Sequence, residues 1–96
     1  MVARHDGGVF AISVASEMTA MPIQNLRVYE RRGLVAPERT AGGTRLYSED
    51  DIDRLHRIRD LLAAGLNLAG IAAVLDLEAQ NDALRGEIAR LRRPAG

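Results

Sequence analysis

The chain has 96 residues, 47% of them apolar and 27% charged, which is enough for one small globular domain with little chain left over. Its 13 basic and 13 acidic residues cancel, and because it contains no cysteine, disulfides, thiolate metal sites and cysteine nucleophiles are excluded. No apolar run approaches the roughly 18 residues of a membrane span and the N-terminus lacks a secretory pattern, so we expect a cytoplasmic protein with no membrane partner.

The first third of the chain predicts a helix-turn-helix. Residues 1–8 have no periodicity and end in two glycines, which predicts a flexible arm, and residues 9–12 indicate a short extended lead-in. Ser13 is a candidate N-cap for a first helix of about two turns. Pro22 stands at or beside the first position of a second helix, which ends by Gly33. Two short helices joined by a tight turn form a helix-turn-helix.

A small hairpin and a third helix are predicted next. Pro37 cannot continue a helix, and Gly42 and Gly43 are two positions free to adopt positive φ between short β-prone pieces. Ser48 is a candidate N-cap, and the three acids after it suit the positive end of a helix dipole. Apolar residues at helical spacing then predict a third helix over about residues 49–64.

The last third of the chain changes its apolar period to seven. Gly65 ends the third helix and Asn67 can cap a short fourth helix over residues 68–75. Beyond it, heptad spacing predicts a coiled-coil seam that joins two chains, although Gly86 weakens the helix. The alternative is a terminal amphipathic helix folded back on its own domain. The predicted dimerisation positions are Val74, Leu77, Asn81, Leu84, Ile88 and Leu91.

The net charge is zero, but the charged residues are unevenly distributed along the chain. Residues 22–47 hold five Arg against two Glu, residues 48–83 hold three Arg against eight acids, and the chain turns basic again from Leu84. All the basic residues are arginine, whose planar fork neutralises a phosphate or reads guanine, and Gln or Asn can pair with adenine. Basic blocks of this kind suit an anionic partner.

No combination of residues supports catalysis or a bound cofactor. No serine has a histidine and an acid at suggestive spacing, and no glycine loop that would cradle a phosphate follows a strand. We interpret His56 as a surface residue. Asp50, Asp51 and Asp53 are ordinary acids of a helix N-terminus rather than a metal cluster. We therefore expect no enzyme, no metal and no cofactor.

Two sequence blocks resemble a known family. Residues 26–40 (LRVYERRGLVAPERT) and residues 45–48 (RLYS) resemble the signature of MerR-type winged-helix regulators. Residues 65–71 (GLNLAGI), the glycine pair and residues 12–15 (ISVA) are most similar to the heat-shock repressor branch of that family. The resemblance covers residues 10–77 and implies a mainly α fold: a helix-turn-helix, a hairpin wing, a second helix pair and an antiparallel coiled coil between two chains.

The resemblance also implies which residues contact DNA. Val28 departs from the family where many relatives have a tyrosine, and Pro22 replaces a residue whose side chain could cap the helix. For Arg27 or Arg31 the alternative is an ion pair with Glu17, Glu30 or Glu38. For Tyr47 two alternatives remain: a position at the edge of the core, or a contact of its hydroxyl with a phosphate. The residues assigned to the core are Leu26, Tyr29, Leu34 and Leu46. The predicted DNA-binding residues are Gln24, Asn25, Arg27, Val28, Arg31, Arg39, Thr40, Gly43, Arg45 and Tyr47.

Together these observations predict a sequence-specific transcriptional regulator that binds double-stranded DNA at an inverted-repeat operator as a homodimer. The resemblance makes it a repressor of stress or heat-shock genes on the nucleoid, with a chaperone co-repressor as a further partner. The chain after the fourth helix leaves no room for a ligand pocket, so no small-molecule effector is expected. The alternatives are a small protein-interaction module and an excisionase-like architectural DNA-binding protein.

The predicted division of the chain follows from these elements. It consists of a flexible arm (residues 1–8), a winged helix-turn-helix DNA-binding domain (residues 9–75), a dimerisation helix (residues 76–93) and a tail (residues 94–96).

Overall fold

A computed structural model describes residues 8–94 of the chain. This part forms four helices and one two-stranded antiparallel hairpin, which confirms the predicted mainly α winged helix-turn-helix fold. The predicted arm, apart from Gly8, and the last two residues of the predicted tail lie outside the described residues. In chain order the elements are α1 (Ile12–Thr19), α2 (Ile23–Arg31), β1 (Glu38–Arg39), β2 (Arg45–Leu46), α3 (Glu49–Ala63) and α4 (Leu68–Arg92).

Helix α1 begins one residue earlier than the predicted N-cap. Ala15 N donates to Ala11 O at 2.9 Å, so Ala11 occupies the N-cap and no side chain caps this helix. Ser13 therefore lies inside the first turn, exposed, and its prediction as the cap is wrong. The helix ends at Thr19 because Ala20 adopts a left-handed conformation at φ 56°.

Helix α2 follows after the short turn of residues 20–22, and Pro22 occupies its N-cap. Leu26 and Tyr29 are buried on its inner face, as predicted. Gly33 ends the segment at φ 75°, a conformation that favours glycine, and Leu34 N donates back to Tyr29 O at 2.8 Å.

The hairpin pairs Glu38 with Leu46 and Arg39 with Arg45. Of the two turn glycines, only Gly43 adopts a positive φ, at 87°. Each strand has two residues, so the hairpin depends on contacts with the rest of the domain. Leu46 is only half-buried.

The chain before α1 packs against this hairpin. Phe10 forms an antiparallel bridge with Tyr47, and Gly8 N donates to the Glu38 carboxylate at 3.0 Å. A Cβ at Gly8 would overlap the backbone carbonyl of Leu46. The prediction of a flexible arm is therefore wrong at Gly8, where a backbone contact fixes the position.

Helix α3 supplies the centre of the core, and its N-terminus is the predicted one. Ser48 Oγ accepts from Asp51 N at 3.0 Å, and the Asp51 carboxylate accepts from Ser48 N at 2.9 Å, which completes a capping box. The apolar face of the helix packs against α1 and α4. Its buried residues are Ile52, Leu55, Ile58 and Leu61.

Helix α4 is one continuous helix of 25 residues, not a short helix followed by a separate seam. Gly65 ends the preceding segment at φ 96°, and Asn67 Oδ1 caps α4 by accepting from Gly70 N at 2.7 Å. Ile71 and Leu75 are buried against α3, and beyond Glu78 every described residue of α4 is exposed. Within residues 8–94, no helix is both long and apolar enough to cross a bilayer.

Candidate nucleic-acid interface

The outer face of α2 carries polar side chains that point away from the core. Gln24, Asn25, Arg27 and Arg31 are all exposed, whereas Leu26 and Tyr29 of the same helix are buried. Val28 differs from them because it is half-buried and packs against the core. The helix therefore exposes the polar side chains that the sequence predicts to contact DNA, and Val28 exposes only part of its surface.

Arg27 and Arg31 are not tied to acids of their own domain. The alternative from the sequence was an ion pair with Glu17, Glu30 or Glu38, and within residues 8–94 neither arginine makes one. Their guanidinium groups are available to an anionic ligand.

The two hairpin arginines are held differently, because both bind Glu30 of α2. Arg39 NH2 donates to Glu30 Oε2 at 2.9 Å, and Arg39 NH1 donates to the Gly43 carbonyl at 3.1 Å. Arg45 Nε donates to Glu30 Oε1, the other oxygen of the same carboxylate. One carboxylate therefore joins α2 to both strands of the hairpin.

The electrostatics of this cluster favour the charged forms of Glu30 and Arg45. Burial alone would raise the pKa of Glu30, but the hydrogen bonds from Arg45 and Arg39 outweigh it and lower that pKa. The hydrogen bond to Glu30 raises the pKa of Arg45. The side chains of Arg39 and Arg45 remain 47% and 24% exposed, so Arg39 is the more accessible of the two.

Sequence reasoning missed this cluster. It considered Glu30 only as a partner for arginines of its own helix, whereas the actual partners follow at separations of 9 and 15 residues. No helical or strand spacing signals such a contact. The hairpin has to fold back beside α2 before the three side chains meet.

Tyr47 lies in the core. It has 0% exposure, and its hydroxyl is buried without a hydrogen-bond partner among the described residues. Burial raises the pKa of this hydroxyl, with a further contribution from the charge of Glu30. Of the two alternatives weighed for Tyr47, the structure supports the core position, because a hydroxyl without solvent access cannot contact a phosphate in this conformation.

The hairpin turn exposes the other two predicted residues. Thr40 Oγ1 accepts from Thr44 N at 3.1 Å, and Gly43 N donates to Thr40 O at 2.9 Å. Both Thr40 and Gly43 are exposed at the tip. The turn is therefore stabilised by its own hydrogen bonds and still open to a ligand.

Helix α3 contacts the helix-turn-helix through side chains for which the sequence predicted no such role. Arg59 NH1 donates to Thr19 O at 2.7 Å, and His56 Nε2 lies 3.3 Å from Met18 O, so both side chains meet carbonyls at the C-terminal end of α1. Arg54 Nε donates to Leu34 O, just after α2. Arg54 and Arg59 of α3 thus hold the helix-turn-helix against α3.

The predicted seam lies along the free part of α4. Val74 is half-buried, whereas Leu77, Leu84, Ile88 and Leu91 are 62%, 63%, 47% and 70% exposed. The helix does not fold back on its own domain, which removes that alternative. Its apolar stripe borders a shallow groove whose lining residues are Val74, Leu77, Glu78 and Asn81.

A helix-turn-helix whose second helix exposes a polar face beside a β-hairpin defines a winged helix-turn-helix protein. Residues 10–78 match the MerR HTH family of regulatory proteins, and the chain belongs to this family. The resemblance inferred from the two sequence blocks is thereby confirmed.

Individual relatives agree with this membership. The chain is 44% identical over 87 residues to a protein of Streptomyces coelicolor assigned the name heat shock protein HspR, covering 90% of this chain and 58% of that protein. It is 41% identical over 83 residues to the HTH-type transcriptional regulator GlnR of Bacillus anthracis, covering 85% and 64%. The chain thus spans about three fifths of the length of these two curated relatives.

A solved structure shares the architecture. The transcription regulator PbrR691 from Ralstonia metallidurans, determined in complex with lead(II), superposes with a TM-score of 0.70 at 29% identity. The match covers 88% of this chain and 73% of that one.

Proposed function

We propose that this chain is a transcriptional regulator that binds an inverted-repeat operator in double-stranded DNA as a homodimer. The observation that carries the proposal is the exposed polar face of α2 with the hairpin beside it, in a member of a regulatory-protein family. Helix α2 is the recognition helix, and the hairpin of β1 and β2 is the wing.

The charges of this face support binding to DNA. Arg27 and Arg31 make no ion pair within residues 8–94, so they carry uncompensated positive charge on the recognition helix. Gln24 and Asn25 lie in its first turn, where side chains reach base edges in the major groove. Phosphate contacts from the arginines fix the position of the protein, and contacts from the amides distinguish sequences.

The exposed stripe on α4 supports the homodimer. Four large apolar side chains at heptad spacing face solvent in one chain, and a second copy of the same helix would cover them. Asn81 among apolar neighbours is a device that fixes the register of such a pair. Two recognition helices related by a two-fold axis match an operator with inverted symmetry.

The biological role that we propose is repression of stress or heat-shock genes. Its support is the 44% identity to a protein assigned the name heat shock protein HspR. A chaperone acting as co-repressor is the proposed partner. Operator binding measured across the heat-shock temperature range, with and without chaperone, tests this role. Equal binding in both arms at every temperature contradicts it.

The test of DNA binding begins with selection of duplexes from a random pool by the purified protein. Fluorescence polarisation then compares the selected operator with a scrambled duplex at several salt concentrations. We expect a clear preference for the operator and an affinity that falls as salt rises. Equal affinity for both duplexes at every salt concentration contradicts the proposal and favours an architectural protein, whereas no retention on any duplex favours a protein-interaction module.

A further inference from the structure

Glu30 occupies the junction between the recognition helix and the wing. Its side chain is 20% exposed, and each of its two oxygens accepts a hydrogen bond from a different wing arginine. Because Arg39 also donates to the Gly43 carbonyl, its guanidinium links the recognition helix to the wing turn. One negative charge against two positive charges leaves the cluster with one net positive charge.

The wing has few other means of holding its orientation. Its two strands share only two residue pairs, and an isolated hairpin of this size is marginally stable in water. At its base the wing is fixed by the buried Tyr47 and by the bridge of Tyr47 to Phe10. Near its tip, among the described residues, the side-chain hydrogen bonds from wing to recognition helix are those of Glu30.

We infer that Glu30 is a positioning residue of the DNA interface. Its carboxylate fixes the wing against the recognition helix, and its hydrogen bond with Arg39 holds that arginine toward the phosphate backbone. The inference rests on the proposed function and adds the residue that aligns its two parts. Arg39, the more exposed of the two arginines, contacts the DNA phosphate, whereas the less exposed Arg45 holds the wing to Glu30.

A positioning role and a simple charge effect predict opposite results. A carboxylate near DNA repels phosphates, so if Glu30 acted only by its charge, its neutralisation would tighten binding to every duplex. If it positions the wing, its loss releases two long side chains that must be ordered again on binding, and affinity falls. The sign of the change in affinity therefore separates the two roles.

The matched control is Glu38→Gln. Glu38 lies in β1 next to Arg39 and is exposed, and its carboxylate accepts from Gly8 N and, within residues 8–94, pairs with no arginine. Glu30→Gln and Glu38→Gln thus remove the same charge from neighbouring places, but only the first breaks the ties between helix and wing.

The experiment is a double-mutant cycle on the full chain with the selected operator and a scrambled duplex. It compares wild type, Glu30→Gln, Arg39→Gln, the double variant and Glu38→Gln, with thermal unfolding followed in parallel. We expect Glu30→Gln to weaken operator binding by on the order of tenfold. In the Arg39→Gln background it should cost less affinity than in wild type, because only the tie to Arg45 is then left to lose. Glu38→Gln should bind at least as tightly as wild type.

Arg39→Gln alone provides an independent readout, because it leaves the tie between Glu30 and Arg45 in place. It should reduce the slope of log affinity against log salt by about one. Additive losses in the cycle, tighter binding by Glu30→Gln, or an unchanged slope for Arg39→Gln each overturn the inference while wild-type operator binding stands. Absence of operator preference in the wild type overturns the proposed function and the inference with it.

Discussion

Single arginines in this chain carry different roles that the sequence does not distinguish. Within residues 8–94, Arg27 and Arg31 of α2 form no ion pair, whereas Arg39 and Arg45 bind Glu30 and Arg59 binds a carbonyl of α1. Counting charges along the chain located the basic segment. It could not assign these partners, because the contacts with Glu30 and with the α1 carbonyl join residues that are 9 to 40 positions apart and meet only in the folded domain.

The free arginines of the recognition helix give the first prediction. The double substitution Arg27→Ala with Arg31→Ala should reduce the salt slope of operator binding by about two, because two phosphate contacts are lost. The control is Arg93→Ala, which removes an exposed arginine at the far end of α4. Fluorescence polarisation across a salt series measures both. An unchanged slope in the double variant would assign these arginines to base reading or to no contact.

The lowered pKa of Glu30 gives a prediction about acid stability. A carboxyl whose folded-state pKa is depressed stabilises the fold above its unfolded pKa of about 4.3, and the contribution disappears as pH falls through the lower folded value. Wild type should therefore be more stable than Glu30→Gln at neutral pH, and the difference should shrink below about pH 4. Urea unfolding at several pH values measures it. A difference that stays constant into acid would show that the carboxylate charge contributes nothing.

Helices and turns were the elements that the sequence predicted best. Two helices begin after the predicted caps Ser48 and Asn67, and two helical segments end at the predicted glycines Gly33 and Gly65. These positions were predictable because capping and left-handed geometry depend on local residues. Ser13 failed as a cap because Ala11 already fills that position. The sequence also did not predict that α4 is one unbroken helix. The apolar period changes where the helix leaves α3, and this change does not require a break in the helix.

The two serines allow a matched test of capping. Ser48→Ala should destabilise the domain by about 1 kcal/mol, because it leaves the Asp51 N–H without its acceptor. Ser13→Ala should change stability by less than about 0.5 kcal/mol, because an exposed serine inside the first turn makes no cap bond. Denaturant unfolding of both variants checks this. Equal losses would contradict the observed start of α1.

At the scale of the whole molecule, the compact domain and the projecting end of α4 differ in how far their apolar side chains are buried. Most large apolar side chains up to Leu75 are buried or half-buried within the chain, with Val9, Val14 and Met18 exposed, whereas the later heptad positions are all exposed. The extents of 50 × 35 × 20 Å reflect this elongated arrangement. The sequence predicted the stripe from its period of seven, but a single chain contains no evidence of the orientation of two such helices.

Disruption of the seam tests the homodimer. Leu84→Asp places a charge at a central seam position and should convert the dimer to monomers, with operator affinity falling on the order of a hundredfold because the two half-sites are no longer bound together. Ala83→Asp adds the same charge at the adjacent exposed position, outside the seam, and should leave the dimer intact. Sedimentation velocity measures both. A monomeric wild type would contradict the homodimer, and a dimeric Leu84→Asp variant would show that the dimer contact lies elsewhere.

The proposed homodimeric regulator is tested most directly by the mass and affinity of its complex on designed duplexes. Sedimentation equilibrium and polarisation can compare the selected inverted repeat, a single half-site and a scrambled duplex of equal length. We expect two chains on the inverted repeat and much weaker binding to the other two duplexes. One chain per duplex, with the same affinity for all three, would contradict the proposed function.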